Sequence, residues 1–184
     1  MIRMNVKFLN TCLRKSYGFV DADWGGDTSH RRSVSGMEIS LVGAPIVYKS
    51  RYQPTVSLSS TESEFIAASE AGKLSLYVRS LLDNLNCTQS SAKKLYEDNN
   101  AAIAMANSRK PTRQNRHVEL RHFPFLDWTE TDQILLSSIA TADNPADALT
   151  KALGPQSFTR HSCTLLDKKP NLLSVLVPYI LHYI

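Results

Sequence analysis

Two β-type runs, Ser33 to Leu41 and Pro45 to Ser50, meet across VGAP, and shortly afterwards the apolar period changes from strand-like to helical. That order, hairpin before helix, constrains the fold more than any other feature. Gly43 supplies the turn freedom of a short connection, so antiparallel pairing of the two runs is the natural reading. Pro54 then disfavours helix at Gln53. Thr61 followed three residues later by Glu64 has capping-box spacing, which predicts a helix with Glu62 in its first turn. Ala67, Ala71, Leu74, Val78, Leu81, Leu82 and Leu85 recur at intervals of three and four, giving an amphipathic helix of about six turns.

The remaining segments extend this plan. Tyr17 to Asp21 reads as a strand entering an acidic turn, AKKLYED as a short strand ending in acids, and NNAAIAMANS as a short helix. In VELRHFPFLDWTETD, Leu120, Phe123 and Leu126 have helical spacing, with Pro124 required in the first turn or at a kink. QILLSSIA reads as a buried strand. NPADALTKAL has Asn144 as N-cap and Pro145 at the first helical position. The order β, β-hairpin, α, β, α, α, β, α predicts an α/β fold: a mixed five-stranded sheet, antiparallel hairpin then parallel strands, with helices on both faces. At 184 residues and 42% hydrophobic, the chain suits one domain with a substantial core.

Lysine and arginine number 21 against 17 acids, a net charge of +4 that leans toward an anionic partner such as nucleic acid. Cys12, Cys87 and Cys163 stand about 75 residues apart, which excludes a CxxC zinc pattern and argues for reduced thiols. The N-terminal stretch is too interrupted for a secretory signal. The C-terminal NLLSVLVPYILHYI, with Pro178 inside it, falls short of the roughly 20 residues of a membrane span and reads as a packing segment or appended tail.

Within this basic chain, acids recur at strand ends and helix starts: Asp21, Glu62, Asp98 and Asp147. In an α/β sheet such positions share one edge, so the four could converge. Oxygen-only clusters suit magnesium or manganese, and a pair of such ions serves phosphodiester hydrolysis. Taken singly, each acid reads as readily as turn or helix-dipole chemistry. Asp23 shares a strand face with Asp21 and competes with it on pattern alone. Glu64 lies about 200° around the helix from Glu62, so the two cannot face one metal pair, and Glu64 is read as the capping residue. Asp143 precedes Asp147 by four residues and reads as a neighbour that could orient it.

The blocks DADWGGDTSHRRSVSG, QPTVSLSSTESEFIAASEAG, YEDNNAAIAMANS, RHVELRHF and TADNPADALTKAL, in this order from about Tyr17 to Phe158, resemble the RNase H domain of copia-type LTR retrotransposon polyproteins. The resemblance implies an RNase H-like fold and two-metal hydrolysis of the RNA strand of RNA/DNA hybrids during reverse transcription. It implies two Mg2+ or Mn2+ ions, with Asp21 in VDAD, Glu62 in STESE, Asp98 in YEDNN and Asp147 in NPAD as metal-binding catalytic acids. It prefers Asp21 to Asp23. Implied partners are the hybrid and the reverse transcriptase domain of the same element, with no membrane and no small-molecule cofactor. The implied setting is intracellular: a cytoplasmic virus-like particle, with the nucleus as a further location.

On this reading residues 1–16 form an N-terminal segment, 17–160 the domain and 161–184 a tail. Arg109, Lys110, Arg113, Arg116 and His117 form a basic linker suited to hybrid phosphates or to plain solvation. Arg31 and Arg32 could balance the first acid or bind carbonyls, and Trp24 suits packing or a nucleotide contact. The histidine that cellular RNases H carry before the last acid has no counterpart in SSIATADNPAD, which is compatible with slow product release. A transposase or integrase would place its glutamate on a late helix, unlike this chain. The alternative of another class is an inactive retroelement remnant that only binds nucleic acid or packs against reverse transcriptase.

Overall fold

The protein is described by a computed structural model over residues 16–108, 122 and 124–166. Strands β2 (Val34–Leu41) and β3 (Ala44–Tyr52) form the expected hairpin, longer on its second arm than the sequence indicates. Its turn is Val42–Gly43, with φ of 57° and 90°. Positive φ at both positions matches the strand twist in a two-residue hairpin. Strand β1 (Ser16–Asp23) pairs antiparallel with β2 along its whole length, while β4 (Lys93–Glu97) and β5 (Ile134–Ser138) add in parallel. The sheet is five-stranded and mixed, as expected, in the order β3-β2-β1-β4-β5.

Helix α1 (Ser60–Asn84) starts in a different register from the expected one. Ser59 is the N-cap, its Oγ accepting from the Glu62 backbone N–H at 3.1 Å, and the Glu62 carboxylate accepts from Leu58 N–H at 2.7 Å. The cap therefore uses Ser59 and Glu62 rather than Thr61 and Glu64. Both pairs have capping-box spacing, and tertiary packing selects between them. In the selected register Phe65, Ala67, Ala68, Ala71, Val78 and Leu82 are buried with Val20, Ile39 and Leu95 of the sheet. The predicted stripe fades at its end, where Leu81 and Leu85 are exposed.

Helix α2 (Asn100–Asn107) is capped by Asn99, whose Oδ1 accepts from Ala101 and Ala102. In α3 (Pro124–Glu130) Pro124 is the first residue, where its missing N–H costs nothing. Phe125 packs edge-on between Phe65 and Trp128, at 5.6 and 6.5 Å between ring centroids.

The expected last helix at Asn144 is instead a pair of 3-10 turns, Thr141–Asp143 and Pro145–Leu149. A helix resumes only at α4 (Pro155–Leu165), after the break at Gly154 with Pro155 at its first position. It runs across the boundary at residue 160 drawn from the sequence. These last elements occupy the sheet face opposite α1. Val20 pairs with Met37 and both join the core beneath α1, so the next pair, Asp21 and Gly36, faces the other way. A Cβ at Gly36 would stand 2.6 Å from Thr150 Cγ2 and 2.8 Å from the Ala146 carbonyl. Only glycine lets the Pro145–Leu149 turn lie this close to the strand. Among the described residues no helix is long and apolar enough to cross a membrane.

Candidate metal centre

The C-terminal ends of the parallel strands β1 and β4 lie at one sheet edge, and there the acids gather. Carboxylate oxygens of Asp21, Glu64 and Asp98 all lie within 4.8 Å of one another. Asp21 and Glu64 are buried and Asp98 is half-buried. Glu62, the residue expected here, instead sits at the rim as the cap, two positions and about 200° of helix away from Glu64. The cap shift explains the exchange: with Ser59 as N-cap, Glu64 turns inward beside the strand ends.

Asp23 is separated from Asp21 by its partners. Its Oδ1 accepts from Val34 N–H at 2.5 Å, closing the mouth of the β1–β2 loop. Asp21 is held from the far side of the sheet, where the Thr150 hydroxyl donates to its Oδ2. Asn144 fixes that side: Nδ2 donates to the Val20 carbonyl at 2.8 Å and Oδ1 accepts from Ala146 N–H at 3.2 Å. One buried amide thus caps the turn carrying Asp147 and pins it to β1. Lys151, four residues on, places Nζ 3.1 Å from Asp147 Oδ1 and 3.3 Å from Asp21 Oδ1.

Sequence reasoning missed a further acid. Glu97 ends β4 fully buried, with Oε1 accepting from Asn99 N–H at 3.0 Å. Its Oε2 and that of Glu64 are buried without hydrogen-bond partners. Burial pushes the Glu64 carboxyl up to about 10, reinforced by Glu97, Asp21 and Asp98. Burial likewise holds Glu97 well above the ordinary range, with Asp98 and Asp21 adding to it against the Asn99 hydrogen bond. Asp21 is pushed up to about 6, chiefly by burial and further by Asp147, against the Thr150 hydrogen bond and Lys151. Burial works against the Lys151 charge, but Asp21 and Asp147 outweigh it and push the ammonium up to about 12. Unpartnered buried carboxylate oxygens are costly, and here several converge. All the acidic donors are hard oxygens, a set that fits Mg2+ or Mn2+ and not a soft metal.

Other candidates have other surroundings. Asp143 pairs with Arg160 on the surface, away from the orienting position expected for it. The Arg32 guanidinium lies 5.3 Å from the centre of the Tyr52 ring. Trp24 is not core: it is 58% exposed, its indole N–H donating to the Ser57 carbonyl at 3.1 Å. The basic linker with Arg109, Lys110, Arg113, Arg116 and His117 lies outside the described residues, as does the tail from residue 167.

No family model matches the chain. Over 141 residues, 77% of its length, it is 31% identical to the retrovirus-related Pol polyprotein from transposon TNT 1-94 of Nicotiana tabacum. It is 28% identical over 146 residues to that from transposon RE2 of Arabidopsis thaliana, covering 79% of this chain. It spans about a tenth of the length of these relatives. Among solved structures it resembles LC11-RNase H1, isolated from compost by a metagenomic approach, with a TM-score of 0.55 at 13% identity over 74% of this chain and 93% of that one. The same protein in complex with an RNA/DNA hybrid gives a TM-score of 0.54 at 12% identity, covering 74% of this chain and 94% of that one. The homologues of this chain are thus retrovirus-related Pol polyproteins of copia-type plant transposons, and its fold is that of the RNase H domains.

Proposed function

We propose that this chain is the ribonuclease H unit of a retrotransposon, hydrolysing the RNA strand of RNA/DNA hybrids during reverse transcription. The observation that carries the reading is the convergence of Asp21, Glu64 and Asp98 at the edge of an RNase H fold, with Asp147 on the opposite flank of Asp21. Asp21, Glu64 and Asp98 would hold one divalent ion, and Asp21 with Asp147 a second. Such ions, when bound, supply an activated water and stabilise the leaving oxygen in phosphodiester hydrolysis.

The chain's own residues prepare that chemistry. Thr150 fixes one oxygen of Asp21 and leaves the other facing Lys151. Asn144 sets the approach of Asp147 to β1, and Asn99 orients Glu97 under the cluster. With three or more carboxylates in one place, hybrid phosphates would be repelled until cations balance them, so binding and hydrolysis both require the ions. The reverse transcriptase of the same polyprotein is the proposed partner, supported by the Pol homologues.

Cleavage of a labelled RNA/DNA hybrid tests the reading. Mg2+ or Mn2+ should support cutting of the RNA strand, EDTA should abolish it, and double-stranded DNA should be spared. Cleavage indifferent to EDTA would overturn the metal-dependent mechanism. Hybrid binding with no cutting under any divalent ion would leave the inactive remnant as the correct description.

A further inference from the structure

The acid cluster has two flanks, and they differ. On one, Asp21, Glu64 and Asp98 bring their oxygens together. There Glu64 Oε2 and Glu97 Oε2 have, among the described residues, neither a hydrogen-bond partner nor a cation beside them, whereas Asp147 Oδ1 on the other flank, also without a hydrogen bond, has the Lys151 ammonium at ion-pair distance. On the other, Asp21 and Asp147 are bridged by the Lys151 ammonium, 3.3 and 3.1 Å from their oxygens. The lysine is anchored at its base, its backbone N–H donating to the Asp147 carbonyl at 3.1 Å. Its side chain is nevertheless 40% exposed, against 1% and 9% for the two acids. An ammonium on a four-carbon stem that reaches in from solvent can swing out without disturbing the fold.

Resting on the two-ion reading above, we propose that Lys151 is a built-in counter-ion that closes the Asp21–Asp147 pair and must be displaced before a divalent ion can bind there. The two positions therefore fill in order. The flank with Glu64 and Asp98 takes an ion directly. The flank with Asp147 takes one only in exchange for the lysine, so its affinity is weaker by the ion pairs given up. Lys151 is a positioning residue: it bridges Asp21 and Asp147 while the site waits, and it sets the concentration at which the second ion enters.

Mn2+ binding to the full chain, followed by calorimetry and by the paramagnetic resonance of free Mn2+, tests this without any substrate. Wild type should show two classes of site. Lys151→Met, which keeps the stem and removes the charge, should tighten the weaker class about fivefold, the scale of one partly exposed ion pair, and the tighter class by less, since it shares only Asp21 with the lysine. Lys151→Arg should keep the weaker class weak, and Asp147→Asn should remove it in either background. Unchanged or weakened second-class binding in Lys151→Met would overturn the proposal, as would tightening in Lys151→Arg as well. Wild type that takes up a single Mn2+ with the same affinity in every variant would overturn it too, while leaving a metal-bound enzyme intact. Wild type that takes up no Mn2+ would overturn the metal reading, and the proposal with it.

Discussion

Glu38 sits in the middle of β2, 1% exposed, where the Ser40 hydroxyl donates to its Oε1 at 2.6 Å and its Oε2 has no hydrogen-bond partner. At the edge of the same sheet Asp21 is shared between two groups, with Glu64, Glu97 and Asp98 on one flank and with Asp147 and Lys151 on the other. Both regions bury carboxylates, yet their remedies differ. For Glu38 burial pushes the carboxyl up to about 7 against the Ser40 hydrogen bond, and one proton meets the cost. At the edge burial is joined by neighbouring charge, Glu97, Asp21 and Asp98 raising Glu64 and Asp147 raising Asp21, and one ammonium serves two of the acids. Protonation can quiet such a cluster, but a divalent ion alone satisfies several oxygens at once. A buried acid is therefore no sign of a site; convergence of acids whose oxygens lack partners is.

The sharpest way to break this comparison is to exchange acids for amides in both regions. Glu64→Gln should lower hybrid cleavage by more than about 100-fold, beyond the 10- to 100-fold typical of residues that merely support a metal ligand. It should also remove most of the rise in melting temperature that Mn2+ produces. Glu38→Gln should leave both unchanged. Glu62→Gln should resemble Glu38→Gln in cleavage, since glutamine can also accept from Leu58 N–H. Equal loss in Glu62→Gln and Glu64→Gln would dissolve the distinction between cap and site.

Asn144→Ala should come next. It removes a cap and leaves the Val20 carbonyl buried without its partner, a loss of about 2–3 kcal/mol measurable by urea denaturation. Because Asp147 rides on that turn, the Mn2+ response should fall with stability.

In wild type, metal should stabilise by about 1.4–2.7 kcal/mol at ten to a hundred times its dissociation constant. Protons compete for the same oxygens, and Asp21 is pushed up to about 6, so the rise in melting temperature should be larger at pH 8 than at pH 5. Glu38→Gln should retain that pH dependence of the metal response.

The element order and the mixed sheet were legible because their signals are local: β-type runs on either side of Gly43, and strands alternating with capped helices. Asp98 and Asp147 were legible as acids at a strand end and a turn start, whereas Asp21, inside β1 and not at its end, was told from Asp23 by the family resemblance alone. Glu64 was not legible, because Ser59 with Glu62 and Thr61 with Glu64 satisfy the same capping rule, and burial of Phe65, Ala67 and Ala68 decides between registers. Glu97 was hidden by its neighbour, since YED does not say which acids end inside. Lys151 could have been found as the i,i+4 partner of Asp147. No local pattern brings it to Asp21, 130 positions away.

The smallest expected effect isolates the lone acid. Raised from its ordinary value to about 7, Glu38 favours the folded state fully while protonated, below its unfolded value near 4.3. That advantage is lost as pH rises through about 7, because the fold must then hold a buried charge. Glu38→Gln carries no charge at any pH, so it should match wild type near pH 4 and exceed it from about pH 8 upward. The gap should open between those values and level off above them, reaching on the order of 1 kcal/mol after relaxation around the site. Urea denaturation at pH 4.5, 6, 7 and 8.5 in EDTA measures it with the metal contribution removed. A constant gap across that range would mean that the Glu38 proton is not what makes its burial tolerable. The contrast between one acid relieved by a proton and several awaiting a cation would then fail at its simpler end.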